Sequence, residues 1–231
     1  MDRGLYIAAS GMLTEQLRQK QIANDLANAS TPGYKADRTA QRSFGDLVLA
    51  DTTTGQTVGR QSTAVVADAV VTDFTPQPSR DTGEPLDFAI TGDGFFAVRT
   101  PDGIRYTRDG QFTVSPQGEL VTAQGDPVLG RGGQPIRVGG DGRVDPRRLD
   151  VVLLREPQKV GDGLVAGTPG GVAASAPGQV RAGALEGSSA DPARSMVDMI
   201  ASLRAFESGQ KAIQAIDDVL GKASTPVGSL G

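Results

Sequence analysis

The chain of 231 residues contains no cysteine and no histidine, and only 4% of its residues are aromatic. Without cysteine it forms no disulfides and offers no thiolate ligands to a metal. Without histidine it lacks the commonest general base and metal ligand, which excludes Ser-His-Asp and Cys-His catalytic sites. The 27 Asp and Glu residues are the remaining acid–base groups. We therefore expect neither an enzyme nor a bound cofactor.

Long apolar runs and basic runs are also missing from the sequence. No stretch of 18 apolar residues is present, so we expect no insertion into a membrane. No charged segment leads into a short apolar one, so we expect no cleaved signal peptide. The formal net charge is −4, and without clustered Lys and Arg nucleic-acid binding is not expected.

Two long periodic segments do stand out, one at each end of the chain. Residues 2–29 predict a helix of roughly 42 Å, with Glu15 and Gln19 in the middle of its apolar stripe. Thr31 precedes a proline and is therefore pushed out of the helical region. Pro32 and Gly33 suit the central positions of a type II turn. The sequence thus predicts that this helix ends firmly at a turn.

The second periodic segment lies near the carboxyl end. Asp191 suits an N-cap, Pro192 the first helical position and Gly221 a C-cap. Steps of three and four residues define a heptad stripe. Because neither terminal helix can bury its stripe alone, we expect the two to pack together in a coiled-coil layer. The stripe consists of Met196, Met199, Leu203, Phe206, Gln210, Ile213, Asp217 and Leu220.

Between the helices, residues 84–138 alternate short β-favouring runs with turn signals. The runs FFAVRT and IRYT, joined by Pro-Asp-Gly, predict a β-hairpin. The predicted fold class is α+β, with discontinuous terminal helices, a central antiparallel β domain and extended connections. The predicted segments are an N-terminal helix (1–34), an extended connection (35–83), the central β domain (84–158), an extended return segment (159–190) and a C-terminal helix with a tail (191–231).

Three motifs admit a chemical interpretation beside a plainer one. GDGFFA (92–97) matches a dinucleotide fingerprint, but that motif needs a following helix and FFAVRT favours a strand. GGDGRVD (139–145) lacks the ligand spacing of a calcium loop, so a turn is favoured. Carboxylate-only glycoside hydrolysis needs two acids in a cleft, whereas acids on a helix surface are usually solvated. The acids concerned are Asp191, Asp198, Asp217 and Asp218.

An isolated apolar pair follows the first helix, with Phe44 and Val48 in the spacing F-x-x-x-V. One interpretation is a strand or turn that packs on the folded domain. The other is a recognition segment that is read while the chain is unfolded. Both interpretations stay open from the residues alone.

Three separated blocks of the sequence, about 100 residues together, resemble the bacterial flagellar rod and hook family. They are GLYIAASGM with ANDLANASTPGYK, then PLDFAITGDGFFAV with RYTRDGQFTV, then GALEGSS with MVDMIASLRAFESGQKAIQAID. The opening MDRGLY, the short chain and the compact central block are most similar to a proximal rod protein, with a distal rod or related hook-basal-body subunit as the alternative. Asp25 stands where Asn is usual, and Ser189-Ala190 where Asn-Val is usual.

The resemblance implies a structural subunit of the basal body that transmits torque. Its terminal helices would form an inner layer lining a channel, and its β domain would face outward. Its partners would be further copies of itself, other rod and hook subunits, and the flagellar export apparatus. It would be exported unfolded without a cleaved signal, to the rod in the cell envelope. A monomeric β-rich binding module with a helical hairpin is the alternative from another class.

Three groups of residues are assigned on this basis. The assembly seam is Leu5, Met12, Ile22, Leu26, Met196, Met199, Leu203, Phe206, Ile213 and Leu220. The motif turn is Asn24, Asn28, Thr31, Pro32, Gly33 and Tyr34. The candidate export signal is Phe44 with Val48. No catalytic, cofactor-binding or metal-ligating residue is expected.

Overall fold

The structure is a computed structural model that describes residues 2–50, 57–161, 163–172 and 180–224. The side chains of 2–3, 39–50, 57–69, 171–172 and 223–224 lie outside that description. The fold class is α+β, as predicted, with two α-helices and antiparallel sheets. Among the described residues, neither helix is long and apolar enough to cross a membrane.

The two helices lie at the ends of the chain. Helix α1 is Asp2–Ala27, two residues shorter than predicted, and helix α2 is Pro192–Ser224. The turn after α1 forms where Pro32 and Gly33 predict it, because the Tyr34 N–H donates to the Thr31 carbonyl at 3.3 Å. Helix α2 begins at Pro192 as predicted. It continues past Gly221, since an isolated glycine is tolerated within a helix.

The chain divides into two compact units. The helical unit comprises Met1–Leu26, Asp37–Val71 and Pro192–Gly231. Within it, β1 (Asp37–Ala50) and β2 (Thr57–Thr72) form a two-stranded sheet. The sequence predicted an extended connection over 35–83, and these two strands occupy much of it.

The β unit comprises Ala27–Ala36 and Thr72–Asp191. A 3₁₀ helix spans Pro146–Arg148. The strands are β3 Ser79–Asp81, β4 Phe88–Ile90, β5 Phe95–Thr100, β6 Gly103–Thr107, β7 Thr113–Val114, β8 Leu120–Val121, β9 Val151–Gly161, β10 Leu164–Val172, β11 Val180–Ala182 and β12 Ala184–Glu186.

Four strands close into a barrel in the order β10, β6, β5, β9. The predicted hairpin is confirmed, since β5 and β6 pair with Val98 opposite Arg105 and Thr100 opposite Gly103. The sequence predicted an extended return segment over 159–190. There β10 pairs with β6 and β9, β11 pairs with β4, and β12 pairs with β3. Strand β9 ends just before β10, but β6, β4 and β3 lie far from their partners in the chain, and local composition does not reveal such distant pairing.

The core of the β unit lies on both sides of strand β5. Successive strand residues point to opposite faces. Phe96 and Val98 therefore enter one buried cluster with Phe88 and Phe112, while Phe95 enters a second with Tyr106 and Val152. The Phe96 and Phe112 rings meet edge-on with centroids 5.3 Å apart. Both faces of the strand are thus covered by the chain's own residues.

The two glycine-rich acidic motifs follow their plainer interpretations: residues 91–93 form a bend before a strand, and the Gly142 N–H donates to the Gly139 carbonyl at 3.0 Å in a turn. GDGFFA leads into strand β5 instead of a helix. In GGDGRVD, Asp141 Oδ1 accepts from the Arg143 N–H at 3.2 Å, and Asp145 Oδ1 accepts from the Arg147 N–H at 2.9 Å. Within the described residues, no three acidic side chains come together to hold a metal ion.

Candidate functional site

The first candidate site is the pair of terminal helices within the helical unit. Their contacts pair rising residue numbers in α1 with falling numbers in α2, so the helices run antiparallel. Ser202 Oγ donates to Glu15 Oε2 at 2.6 Å, and the Arg18 guanidinium lies 4.0 Å from the Asp198 carboxylate. Met12 packs on Gly209, where a methyl group would lie 2.8 Å from Met12 Cγ.

Small residues of α2 form much of this contact. Ser202 is fully buried, and Gly209 has no side chain to hold the helices apart. Small side chains allow two helix backbones to approach closely. Further along, Gly4 of α1 lies near Ile216 of α2. The face that α2 presents to α1 therefore includes Ser202, Gly209 and Ile216, alternating in heptad spacing with half-buried Met199, Phe206, Ile213 and Leu220.

Large apolar side chains remain outside this contact. Leu13 is 62% exposed, Met196 54% and Leu203 45%. Of the ten seam residues, Ile22 is buried; Met12, Leu26, Met199, Phe206, Ile213 and Leu220 are half-buried; and Leu5, Met196 and Leu203 are exposed. Since the seam concerns contacts between subunits as well as within one, it stays a prediction.

Of the acidic residues weighed for glycoside hydrolysis, Asp198 lies beside arginine. Its carboxylate is 4.0 Å from the Arg18 guanidinium and 3.9 Å from that of Arg194. Asp191, Asp217 and Asp218 are exposed. These positions resemble an ordinary charged helix surface.

The second candidate site is the motif turn, whose residues lie in the β unit from position 27 onward. Thr31 Oγ1 lies 3.3 Å from Asn28 Oδ1, and Ser188 Oγ donates to the Asn28 carbonyl at 3.0 Å. The Ser189 N–H donates to the Tyr34 carbonyl at 3.0 Å. The segment after α1 thus lies against the segment that precedes α2. Asn24 is exposed on α1, Pro32 is half-buried, and Gly33 and Tyr34 are buried.

Gly33 is required at this turn for two reasons. Its φ of +64° is a conformation that side chains disfavour. A Cβ atom would also lie 2.3 Å from the Arg108 carbonyl carbon and oxygen. The Gly33 N–H meanwhile donates to the Glu186 carbonyl at 3.0 Å. The backbone of the turn therefore packs directly on the backbone of the β unit.

Lys35, Arg108 and Glu186 form a buried ion cluster behind this turn. Lys35 Nζ lies 2.7 Å from Glu186 Oε1, and Arg108 Nη1 lies 2.9 Å from Glu186 Oε2. The three side chains are 4%, 2% and 1% exposed. Burying a charge is costly unless it is paired and hydrogen-bonded, and one carboxylate here pairs with two cations.

Further hydrogen bonds hold the ion cluster in place. Lys35 Nζ donates to the Thr75 carbonyl at 2.7 Å, and Arg108 Nη2 donates to the Gly92 carbonyl at 2.8 Å. The Gln77 N–H donates to Glu186 Oε1 at 2.9 Å. Burial lowers the pKa of the Lys35 ammonium, while its hydrogen bond with Glu186 works in the opposite direction. The cluster ties together five separate segments of the β unit.

Sequence reasoning did not find this ion cluster. Lys35 and Glu186 are 151 residues apart, and Arg108 and Glu186 are 78 apart. One local signal existed, because Glu186 sits in GALEG, an acid at the end of an apolar run between glycines. A lone acid in such a strand is expected to be paired when it is buried.

The two departures from the family pattern also make contacts. Asp25 Oδ1 accepts from Gln21 Nε2 at 3.2 Å and lies 3.5 Å from the Asp37 backbone nitrogen. Ser189 Oγ accepts from the Ala36 N–H at 2.7 Å. Both replacements keep a side-chain oxygen that accepts hydrogen bonds.

Phe44 and Val48, the candidate export signal, both lie in strand β1. Their side chains lie outside the described part of the chain. The choice between a packing role and a recognition role therefore stays open.

Comparison with known proteins agrees with this architecture. Profiles described as "Flagella basal body rod protein", "Flagellar hook protein FlgE/F/G D1 domain" and "Flagellar basal body rod FlgEFG protein C-terminal" match residues 5–35, 89–146 and 181–225. The flagellar basal-body rod protein FlgF of Salmonella typhimurium is 35% identical, over 97% of this chain and 98% of that protein. The chain belongs to the flagellar basal-body rod protein family.

Other flagellar rod proteins show the same near-complete coverage. FlgF of Escherichia coli is 36% identical, over 97% of this chain and 98% of that protein. The rod protein FlgG of Bacillus subtilis is 29% identical, over 95% of this chain and 97% of that protein. The family is structural, and the chain is not an enzyme. The assignment rests on the helices and the β unit together.

Proposed function

We propose that this structural rod subunit assembles into the axial part of the flagellar basal body through its terminal helices. These helices would pack in a coiled-coil layer with helices of further copies and of other rod and hook subunits. The layer would line the export channel and transmit torque. The observation that carries the proposal is the exposed apolar surface on both helices, in a chain that matches rod proteins over nearly its whole length.

The energetics of that surface support assembly. Fully burying a Leu or Met side chain contributes about 1.5–3 kcal/mol. Leu13, Leu17, Met196, Ile200 and Leu203 are each between 45% and 62% exposed in the single chain. Covering several of them would offset the entropy lost when the helices are held in place.

A charge on the exposed face tests the proposal. Leu203→Asp should abolish incorporation into the rod and motility, because an unpaired buried charge costs several kcal/mol. Incorporation is measured by fractionating basal bodies and motility by swarming.

Arg204→Glu is the matched control, since it changes charge on the adjacent exposed residue and should be much milder. The β unit of both variants should melt as in the parent protein. If the Leu203→Asp variant were incorporated normally, this face would not be the assembly surface. The monomeric β-rich binding module would then be favoured.

We further propose that Phe44 and Val48 are read by the export apparatus in the unfolded chain. The support is the F-x-x-x-V spacing just after the first helix. Alanine at both positions should lower secretion, measured as the exported fraction in culture medium, while the purified protein melts normally. The double variant Leu47→Ala with Leu49→Ala, in the same strand, is the control. Equal secretion of the two double variants would reject recognition by the export apparatus. Phe44 and Val48 would then have a packing role only.

The proximal rod position, with a distal one as the alternative, belongs to the same proposal. It is supported by the resemblance of the segment MDRGLY and of the compact central block. Labelling the subunit in isolated basal bodies and locating the label along the rod would distinguish the two positions.

A further inference from the structure

Aspartate directly precedes glycine at four places among the described residues of the β unit. At such a dipeptide the side-chain carboxyl group can react with the main-chain nitrogen of the next residue and convert aspartate to isoaspartate. Glycine favours the reaction, because it has no side chain to hinder the nitrogen and adopts the widest range of φ. The structure around each dipeptide therefore decides whether it reacts. The four are Asp93-Gly94, Asp102-Gly103, Asp109-Gly110 and Asp141-Gly142.

The reaction needs only water besides the protein. The glycine nitrogen attacks the aspartate Cγ atom, an N–Cγ bond forms, and the proton of the nitrogen leaves with the carboxyl OH as water. Water then adds to the main-chain carbonyl carbon of the five-membered imide and breaks its bond to the nitrogen. One water leaves and one enters, and the chain now runs through the former side chain. Ring closure requires rotation about the aspartate Cα–C bond, so the backbone must be free to turn.

Tight packing opposes that rotation at two of the four dipeptides. A Cβ atom at Gly94 would overlap the Val151 side chain, and one at Gly110 would overlap the Phe88 carbonyl oxygen. The Phe88 N–H also donates to the Gly110 carbonyl at 3.0 Å. Both glycines are buried. Their nitrogens are therefore held in place and do not reach the preceding carboxyl carbon.

Hydrogen bonds restrain the third dipeptide, Asp141-Gly142. Asp141 Oδ1 accepts from the Arg143 N–H at 3.2 Å. The Gly142 N–H donates to the Gly139 carbonyl at 3.0 Å. Both Asp141 and Gly142 are exposed, so these two bonds, and not packing, hold the reacting groups apart.

The fourth dipeptide lies at the turn between β5 and β6 and is restrained least. Pro101, Asp102 and Gly103 are all exposed. The Asp102 carboxylate makes no hydrogen bond or ion pair with any other residue that the structure describes. A Cβ atom at Gly103 would have only the end of the Arg105 side chain within 4.0 Å. Gly103 pairs with Thr100 as the last pair of the hairpin, and the ends of elements open most easily.

We propose that Asp102 is a site of isoaspartate formation, the most reactive of these four aspartates in the folded protein. The new linkage adds one carbon atom to the main chain between residues 102 and 103. It displaces Gly103 from its partner Thr100 across the hairpin. Because β6 also pairs with β10 in the barrel, the modification weakens the β unit. It is a property of that unit alone and does not depend on assembly into a rod.

Peptide mapping of the full-length protein tests the proposal. Folded protein is aged in mildly acidic buffer and digested with trypsin, which places the four dipeptides in four separate peptides. Residues 100–105 give TPDGIR and residues 138–143 give VGGDGR. Electron-transfer fragmentation distinguishes isoaspartate from aspartate in each peptide. TPDGIR should accumulate roughly fivefold more isoaspartate than VGGDGR, since the net effect of one hydrogen bond is about that factor. The two packed dipeptides should yield far less.

Three controls separate the effect of the fold from that of the dipeptide itself. Protein aged in urea should form isoaspartate at all four dipeptides. Asp102→Glu lengthens the side chain so that a five-membered ring cannot form, and it should remove the product from residues 100–105 without changing VGGDGR. Asp109 tests protonation, because burial raises the pKa of its carboxyl to about 6 and a protonated carboxyl loses OH more readily. The peptide of residues 109–131 should nevertheless remain behind TPDGIR.

Two results would overturn the proposal. The first is isoaspartate in TPDGIR from protein aged in urea but not from folded protein, because the hairpin would then protect Asp102. The second is a yield in any of the other three peptides of the folded protein that equals or exceeds the yield in TPDGIR. Backbone freedom would then not decide which aspartate reacts.

Discussion

The helix pair and the β unit bury different kinds of side chain. In the β unit, Phe88, Phe96 and Leu120 are completely buried among other apolar residues. Among the residues of α1 and α2 whose side chains are described, the buried ones are Thr14, Ile22, Asp25 and Ser202, of which three are polar. The long apolar side chains of the helices are at best half-buried, apart from Ile22, and many of them are exposed.

This difference shows which apolar surface a single chain buries by itself and which it leaves exposed. A helix gains most of its stability from packing its apolar face. The β unit covers both faces of strand β5 by itself. The helix pair covers a face on which small residues alternate with half-buried large ones, and it leaves Leu13, Met196 and Leu203 exposed. Its apolar surface is therefore suited to neighbours that the single chain does not supply.

Hydrogen exchange should give the largest contrast between the two regions. In dilute subunit, residues 2–29 and 192–220 should show little protection, because opening there costs only about 0–2 kcal/mol. In residues 86–138 the free energy of opening should approach the free energy of global unfolding, which is typically about 5–15 kcal/mol. Mass spectrometry of peptic fragments measures both regions in one experiment. Full protection of both helices in a proven monomer would contradict this expectation.

Breaking the ion cluster should have the next largest effect. Glu186→Gln leaves Lys35 and Arg108 buried without a carboxylate, which should lower the free energy of unfolding of the β unit by about 3–5 kcal/mol. Urea denaturation followed by circular dichroism measures the change.

An exposed ion pair in the same unit provides the matched control. The Asp81 and Arg181 side chains, 2.5 Å apart, are 70% and 53% exposed. Asp81→Asn should cost less than about 1 kcal/mol, as exposed pairs do. Comparable losses in Asp81→Asn and Glu186→Gln would show that burial does not decide the strength of these pairs.

A pH dependence should give the smallest of the three effects. Burial raises the pKa of the Asp109 carboxyl from its usual 3.8 to about 6, and the nearby Asp87 acts in the same direction. Between pH 4 and 6 the folded state therefore binds more protons than the unfolded state. The free energy of unfolding should fall as pH rises through this interval, by at most about 3 kcal/mol.

Asp109→Asn should flatten that dependence and raise stability at pH 7. Its Oδ1 can still accept the hydrogen bond from the Gln111 N–H, which is 2.9 Å long in the parent. Carbon-13 NMR titration of the Asp109 carboxyl checks the assignment directly, and a midpoint near pH 4 would refute it.

The elements that the sequence predicted well are those with local causes. Pro32 and Gly33 determine the position of the first turn. Proline fixes φ at the first central position of the turn, and glycine allows the positive φ that the second position needs. Pro-Asp-Gly between two β-favouring runs places the β5–β6 hairpin. Pro192 marks the start of α2, since proline suits the first helical position. Each of these depends on residues within a few positions of one another.

The contact face of α2 was harder to predict. An apolar stripe selects Met196 and Leu203, but α1 contacts Ser202 and Gly209. A small residue contributes little to a hydrophobic stripe, although it lets backbones approach closely. The large residues one position along then remain available for other contacts. Sequence periodicity gives the heptad spacing without saying which of two adjacent stripes faces which partner.

The ion cluster has a consequence for the order in which the chain can fold. Synthesis proceeds from the amino terminus, and Lys35 emerges 151 residues before Glu186. Strands β3 and β4 likewise cannot pair until β12 and β11, their respective partners, have been synthesised. Loop closure over such distances is slow. The β unit therefore remains unfinished until about four-fifths of the chain has been made, and the last segment to join is the one that leads into α2.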